Sequence, residues 1–245
     1  MNQLANERQS LPHNSDYIKS LDGCSGFCPG LNAVFDRSST TRSKKQTSEL
    51  TASEFSSHLS SSHERVEIER YIGDVFYRYH RACLDYFLPE LFELRSARGV
   101  LSAAIGVGCL QNRPVYLERY LSMPVEQAVS AALGFDVTRA DIIEIGNLAC
   151  SSAGASRLII GELAHELHAR KLRWAVFTGT SMVTAVLHKM GINSSCLALA
   201  HGECMGNELS NWGTYYTHNP RVLVVNVAQV VSACGTTKSA VRRCQ

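Results

Sequence analysis

Two runs of the 245-residue chain hold residue types that together could do chemistry: Glu144-Ile145-Gly146-Asn147 inside an apolar segment, and Ser151-Ser152-Ala153-Gly154-Ala155-Ser156-Arg157 just after it. A glycine within an apolar strand weakens it, so Gly146 predicts a bulge or a close backbone approach. A bulge would leave backbone N–H groups unpaired beside Glu144 and Asn147. The serine-rich run then meets a helix N-terminus, where first-turn N–H groups and the helix dipole favour an anion. Carboxylate, unpaired donors and anion site at one strand end suit acyl transfer from a phosphopantetheine thioester. The donors would polarise the acyl carbonyl, the helix end would hold phosphate through Ser151, Ser152, Gly154, Ser156 and Arg157, and Glu144 would receive an amine proton. The same residues also allow a glycine chosen for packing and a glutamate in an ion pair.

Secondary candidates lie on either side. Glu118 in YLERYL could hold the acceptor amine, and Trp212, Tyr215 and Tyr216 form an aromatic group from which Tyr216 could return a proton to a leaving thiolate. Thr178, like Gly146, counts among the substrate contacts. A strand-end ion pair and an aromatic corner of the core are the competing structural readings. Three other runs fail on spacing. Gly179-Thr180-Ser181-Met182 matches the tetrapeptide around a subtilisin-type serine, but supplies neither the histidine nor the acid such a nucleophile needs. Ser181 reads instead as the start of a helix capped by Thr180 or Ser181. His165 and His168 are three apart, whereas a His-Glu-x-x-His zinc helix needs four, and Cys24 and Cys28 have no second pair, so no metal is expected.

The elements that must position these residues follow from periodicity. Ile142 to Cys150 reads as a strand, Ile160, Leu163, Ala164 and Leu167 share a helix face, and Trp174 to Thr180 reads as a second strand. This is a βαβ unit, so its strands should be parallel neighbours. The helix after it should bury Met182, Val183, Val186, Leu187 and Met190. Upstream, Ile68, Ile72, Val75, Phe76, Tyr79, Cys83, Tyr86 and Phe87 predict one helix with a buried face, ended by Pro89. GVLSAAIGV and PVYLERYL read as strands around QNRP, and PVEQAVSAAL as a short helix with Pro124 in its first turn.

At 45% hydrophobic content the chain can bury one ordinary core, and a formal net charge of +2 with scattered basic residues gives no case for a nucleic-acid partner. No apolar run reaches signal-peptide or membrane-spanning length, so a cytoplasmic protein without stable membrane insertion is expected. Nine cysteines, an odd number, read as reduced thiols. The serine- and threonine-rich stretch 1–62 is expected to be disordered, 63–231 to form the domain, and 232–245 to be a flexible tail.

From about Arg70 to Val230 the chain resembles the thermostable hemolysin family through FLPEL, YLERYL, IIEIGNLA, WAVFTGT, LHKMGI and NWGTYY, in that order. That family in turn resembles the acyl-homoserine-lactone synthases and the GNAT acyltransferases. The resemblance implies an α/β fold with a GNAT-like central mixed sheet, a splayed parallel strand pair and helices on both faces. It also implies an acyl-CoA or acyl-carrier-protein thioester as donor and a small amine as acceptor. The synthases' strand motif, Glu-x-Ser-Arg-Phe-Ala, maps onto 144–149, which carries Glu144 over as the catalytic-site carboxylate and sets Asn147 where the synthases have arginine. Of the GNAT phosphate loop, Gly154 remains. Gly108 stands where both patterns have arginine, which leaves a catalytically silent GNAT-like binding protein as one alternative and a directly membrane-active hemolysin as another.

Overall fold

The computed structural model describes residues 54–59, 64–111, 115–235 and 242–243. In chain order the strands are β1 (Glu54–Leu59), β2 (Glu90–Arg95), β3 (Leu101–Cys109), β4 (Ile142–Cys150), β5 (Trp174–Gly179), β6 (Ser195–Leu199), β7 (Arg221–Asn226) and the two-residue β8 (Arg242–Arg243). The helices are α1 (Arg65–His80), α2 (Val125–Leu133), α3 (Ala153–Ala169), α4 (Ser181–Lys189) and α5 (Val227–Cys234). The strands form one mixed sheet in the order β6-β7-β5-β4-β3-β2-β1-β8. β4 and β5 run parallel, as does the short β1–β8 pair, and the other neighbours are antiparallel.

Alternation of side chains sorts the core onto two faces. Ile105 and Val107 of β3, Ile143 of β4, Ala175 and Phe177 of β5 and Leu223 and Val225 of β7 pack with α3 and α5 on one face. Gly161 lets these two helices approach closely, since a Cβ there would lie 3.3 Å from the Cys234 sulfur. On the other face Ile68 and Ile72 of α1 cover Leu91, Ala104 and Ala149. Beside them Val125 and Val129 of α2 cover Ile142, Val176, Val222 and Val224. Glu144, two residues on from Ile142, therefore points to this second face, where the α1 and α2 clusters meet.

The mixed sheet, the parallel βαβ pair and the helices on both faces agree with the sequence reading; several details do not. Residues 54–59 belong to the sheet, because Phe55 is buried and stacks on Phe92 at a ring separation of 5.2 Å. A single aromatic on the inward face outweighs the polar residues around it. Residues 1–53 lie outside the described residues. At the other end α5 runs to Cys234 and Arg242–Arg243 pair beside β1. The first helix stops at His80, where Arg81 takes a left-handed conformation (φ 56°) and donates its N–H to the Tyr77 carbonyl. Tyr79 and Tyr86, expected to be buried, are exposed, as is Met182 on α4. Tyr116–Tyr120 form a 3-10 helix instead of a strand, burying Leu117 and Tyr120. Glu118 directs that turn: its carboxylate accepts the N–H groups of Val115 (3.3 Å) and Val125 (3.0 Å).

Candidate functional site

The site begins where two strands part. β4 and β5 are paired from Ile142↔Trp174 to Ile145↔Phe177, and there the ladder ends, although β4 continues to Cys150 and β5 to Gly179. On its other edge β4 pairs Gly146 with Gly106 and then Ala149 with Ala104, so Asn147 and Leu148 together oppose Ile105. This is a bulge, and Asn147 carries its positive φ of 53°. Asparagine tolerates that region better than most side chains. The Asn147 amide is committed to the neighbouring loop: Oδ1 accepts the Leu88 N–H at 2.9 Å and Nδ2 donates to the Tyr86 carbonyl at 3.2 Å. Gly146 and Gly106 leave the space this loop fills, since a Cβ at either would stand 3.0 Å from a Leu88 side-chain carbon.

A cleft of about 360 Å³ passes through the opening. Its walls combine Glu144, Gly146, Tyr116 and His80 from the second face with Ile145, Phe177, Ile160 and Val183 from the first. Glu144 is 3% exposed, and its Oε1 accepts the Leu117 N–H at 3.1 Å. The 3-10 turn that supplies this N–H is held by Glu118, whose oxygens meet Arg139 at 2.8 and 3.2 Å. Burial alone would raise the Glu118 carboxyl, but Arg139 and the N–H groups of Val125 and Val115 outweigh it and hold the carboxyl below its usual range.

At one end of the cleft, helix α3 begins. Ser152 caps it, accepting the Ala155 N–H on its hydroxyl at 3.2 Å. The Ser151 N–H is spent on the Ser102 carbonyl at 2.9 Å. Cys150 lies between, its thiol pushed up to about 11 mainly by burial. The other end is aromatic. Tyr86 stacks on Tyr116 at 5.1 Å, Trp212 lies 5.1 Å from Tyr215, and Tyr215 meets His80 edge-on at 5.2 Å. The Tyr120 and Tyr216 hydroxyls are 2.5 Å apart, and burial raises both phenols. Burial, and after it the His218 ring, lowers the His80 imidazole below 6.5, and its buried Nδ1 has no hydrogen-bond partner among the described residues.

Of the sequence candidates, the cleft gathers Glu144, Gly146, Asn147, Ser152, Ser156, Thr178, Trp212 and Tyr215 in its walls. Ser151, Gly154 and Arg157 sit at the start of α3 just outside the lining, and Tyr216 stands behind Tyr120. Glu118 is not in the lining and is committed to the Arg139 clamp. Sequence reasoning missed His80, Asp85, Tyr86, Tyr116 and Tyr120. The signal for His80 was present, since it continues the four-residue spacing of Ile68, Ile72 and Phe76.

A mixed sheet whose central parallel pair splays beside a helix start defines a GNAT-like fold. Within that fold the chain belongs to the thermostable hemolysin family, whose sequence profile matches residues 58–231. No protein of curated function matches the chain by sequence. Similar solved structures include BjaI, a CoA-dependent acyl-homoserine lactone synthase, with MTA (11% identity, 78% of this chain and 93% of that chain, TM-score 0.53). TofI in a ternary complex with an inhibitor and MTA is another (12%, 74% and 96%, 0.51). A third is FeeM, an N-acyl amino acid synthase from uncultured soil microbes (12%, 74% and 95%, 0.50). At these identities the likeness is one of fold. Among the described residues no helix is long and apolar enough to cross a membrane.

Proposed function

We propose that the chain is an N-acyltransferase that moves an acyl group from a coenzyme A or acyl-carrier-protein thioester to a small amine, making an N-acyl metabolite or signal. The parting of β4 from β5 beside buried Glu144 and the start of α3 carries this reading. The thioester enters the opening with its phosphates at the first turn of α3, where the N–H groups of Ala153 and Gly154, Ser156 and the Arg157 guanidinium favour an anion. The β4 backbone beyond Ile145 has no ladder partner on the β5 side, and its N–H groups can donate to the acyl carbonyl oxygen. The acyl chain lies against Ile160, Phe177, Val183 and Val186.

The amine comes from the aromatic end and attacks the carbonyl carbon. As the C–N bond forms and the C–S bond breaks, the amine proton passes to Glu144, directly or through water, and on to solvent. The departing thiolate takes a proton from Tyr120, which is backed by Tyr216 and reprotonated from solvent; raised phenol pKa values keep that proton in place at neutral pH. The products are an N-acyl amide and a free thiol. The names of the similar structures, a CoA-dependent synthase and an N-acyl amino acid synthase, support the same class of reaction.

Purified full-length protein given acyl-CoA or acyl-carrier-protein thioesters and a mixture of small amines is expected to release thiol only when amine is present, with N-acyl products found by mass spectrometry. Absence of amine-dependent release across both donors would refute the proposal. Dye release from lipid vesicles by the protein without any thioester would assign the family name to the chain's own action.

A further inference from the structure

Resting on the acyl-transfer reading, we infer that the acceptor is an amine carrying no carboxylate, with a cationic or aromatic body, and not a free amino acid. The aromatic end of the cleft is where the acceptor must sit, because the other end is taken by the start of α3. Apart from tyrosines and a cysteine, the ionisable side chains among the described residues of the cleft wall are Asp85 and Glu144, both carboxyl groups, and His80. Among the described residues of the lining there is no lysine or arginine. The Arg119 guanidinium, beside the wall residue Tyr120, is committed elsewhere: it lies 3.9 Å over the Tyr116 ring and donates to Glu208 at 3.0 Å, while Tyr86 stacks on the same Tyr116 ring. His80 adds no compensating charge at neutral pH, since burial favours its neutral form.

A carboxylate brought out of water needs a cation or several aligned donors, and an amino acid would carry its own into a wall made of two carboxyl groups and aromatic rings. An ammonium group meets the opposite situation. Carboxyl oxygens attract it, and the electron-rich faces of Tyr86 and Trp212 stabilise a cation or stack on a flat body. The wall therefore selects by repulsion as well as by attraction.

Calorimetry on the full chain with matched pairs isolates the carboxylate: tyramine against tyrosine, tryptamine against tryptophan, ethanolamine against serine. In at least one pair the amine is expected to bind about tenfold tighter or better. The methyl ester of the amino acid, which keeps the bulk and loses the charge, should recover most of that difference. Asp85 is exposed and lies in an irregular segment, so Asp85→Arg leaves the core intact and should shrink or reverse the preference. Amino acids binding as tightly as their amines, no effect of Asp85→Arg, or no binding by either member of every pair would each overturn the inference. Turnover is read separately. Amines that bind but are never acylated sink the acyl-transfer reading and leave this one standing; amino acids acylated faster than their amines do the reverse.

Discussion

The two edges of β4 are built from the same nine residues and behave oppositely. Along β3 the ladder runs from Cys109↔Ile143 to Ala103↔Cys150, absorbing the bulge and resuming beyond it. Along β5 it stops at Ile145↔Phe177. The bulge explains both. An extra residue on β4 is tolerated on the β3 side because Gly106 and Gly146 face one another and Leu88 fills the space, so pairing resumes at Ala149. β5 instead ends two residues later at the start of α4, with no strand left to resume with. One edge therefore holds the sheet together and the other leaves backbone beyond Ile145 without a ladder partner on the β5 side. A single strand can serve stability and chemistry without compromise between them.

The contrast can be broken from either side. The largest effect is expected on the open edge, where Glu144→Gln should lower amine acylation about a hundredfold, or ~2.7 kcal/mol of barrier, in steady-state thiol release. The urea midpoint should stay near wild type, because glutamine keeps the oxygen that accepts the Leu117 N–H. Unaltered turnover would make Glu144 a structural residue. On the closed edge, Gly106→Val should cost about 2 kcal/mol in urea unfolding, since its Cβ would stand 2.9 Å from Asn147 Oδ1 and 3.1 Å from Leu91 Cδ2 in a filled core. A neutral result would mean that the bulge, and not the glycine pair, lets that edge close.

Arg139→Ala tests the support behind Glu144 and should cost about 1 kcal/mol, discounted for the partial exposure of both partners. The Glu118 carboxyl is depressed in the fold, so its contribution is present above the ordinary value of 4.5 and lost as pH falls through the lower folded value. The gap between wild type and Arg139→Ala should accordingly close in acid, which urea melts across pH would follow. The smallest effect concerns His80. Its pKa is lowered in the fold, so below the ordinary value of 6.5 the unfolded chain takes up the proton first and stability declines with acidity. His80→Phe should remove that decline, visible as a Tm gap between about pH 7.5 and about pH 5.5. Parallel behaviour of the two proteins would show that His80 keeps its ordinary titration.

The βαβ unit was legible because its periods change cleanly from two to 3.6 and back, and Gly146 marked the irregular strand. What glycine could not tell is which residue takes the positive φ: sequence records conformational freedom, and the fold places the demand on Asn147. YLERYL misled because two tyrosines and two leucines fit a strand and a tight helix equally well, and Glu118 decides between them through bonds to Val115 and to Val125, seven residues on. Asp85 and Tyr86 were invisible as site residues for another reason. They reach the cleft because Asn147 clips their loop from 61 residues away, a pairing that no local pattern encodes.

The join between α1 and the NWGT segment has a kinetic consequence. Thr214 donates both its N–H and its hydroxyl to the His80 carbonyl, Cys83 donates to the Asn211 carbonyl at 2.7 Å, and Gly213, at φ 50°, is the residue that lets the backbones meet, since any Cβ there would overlap the His80 carbonyl oxygen. The contact closes a loop of 134 residues. Closure on that scale costs entropy before any contact is returned, so this seam is expected to dock after the sheet has formed and to be among the first contacts to lift. Its amide hydrogens should exchange through a local opening at lower free energy than global unfolding.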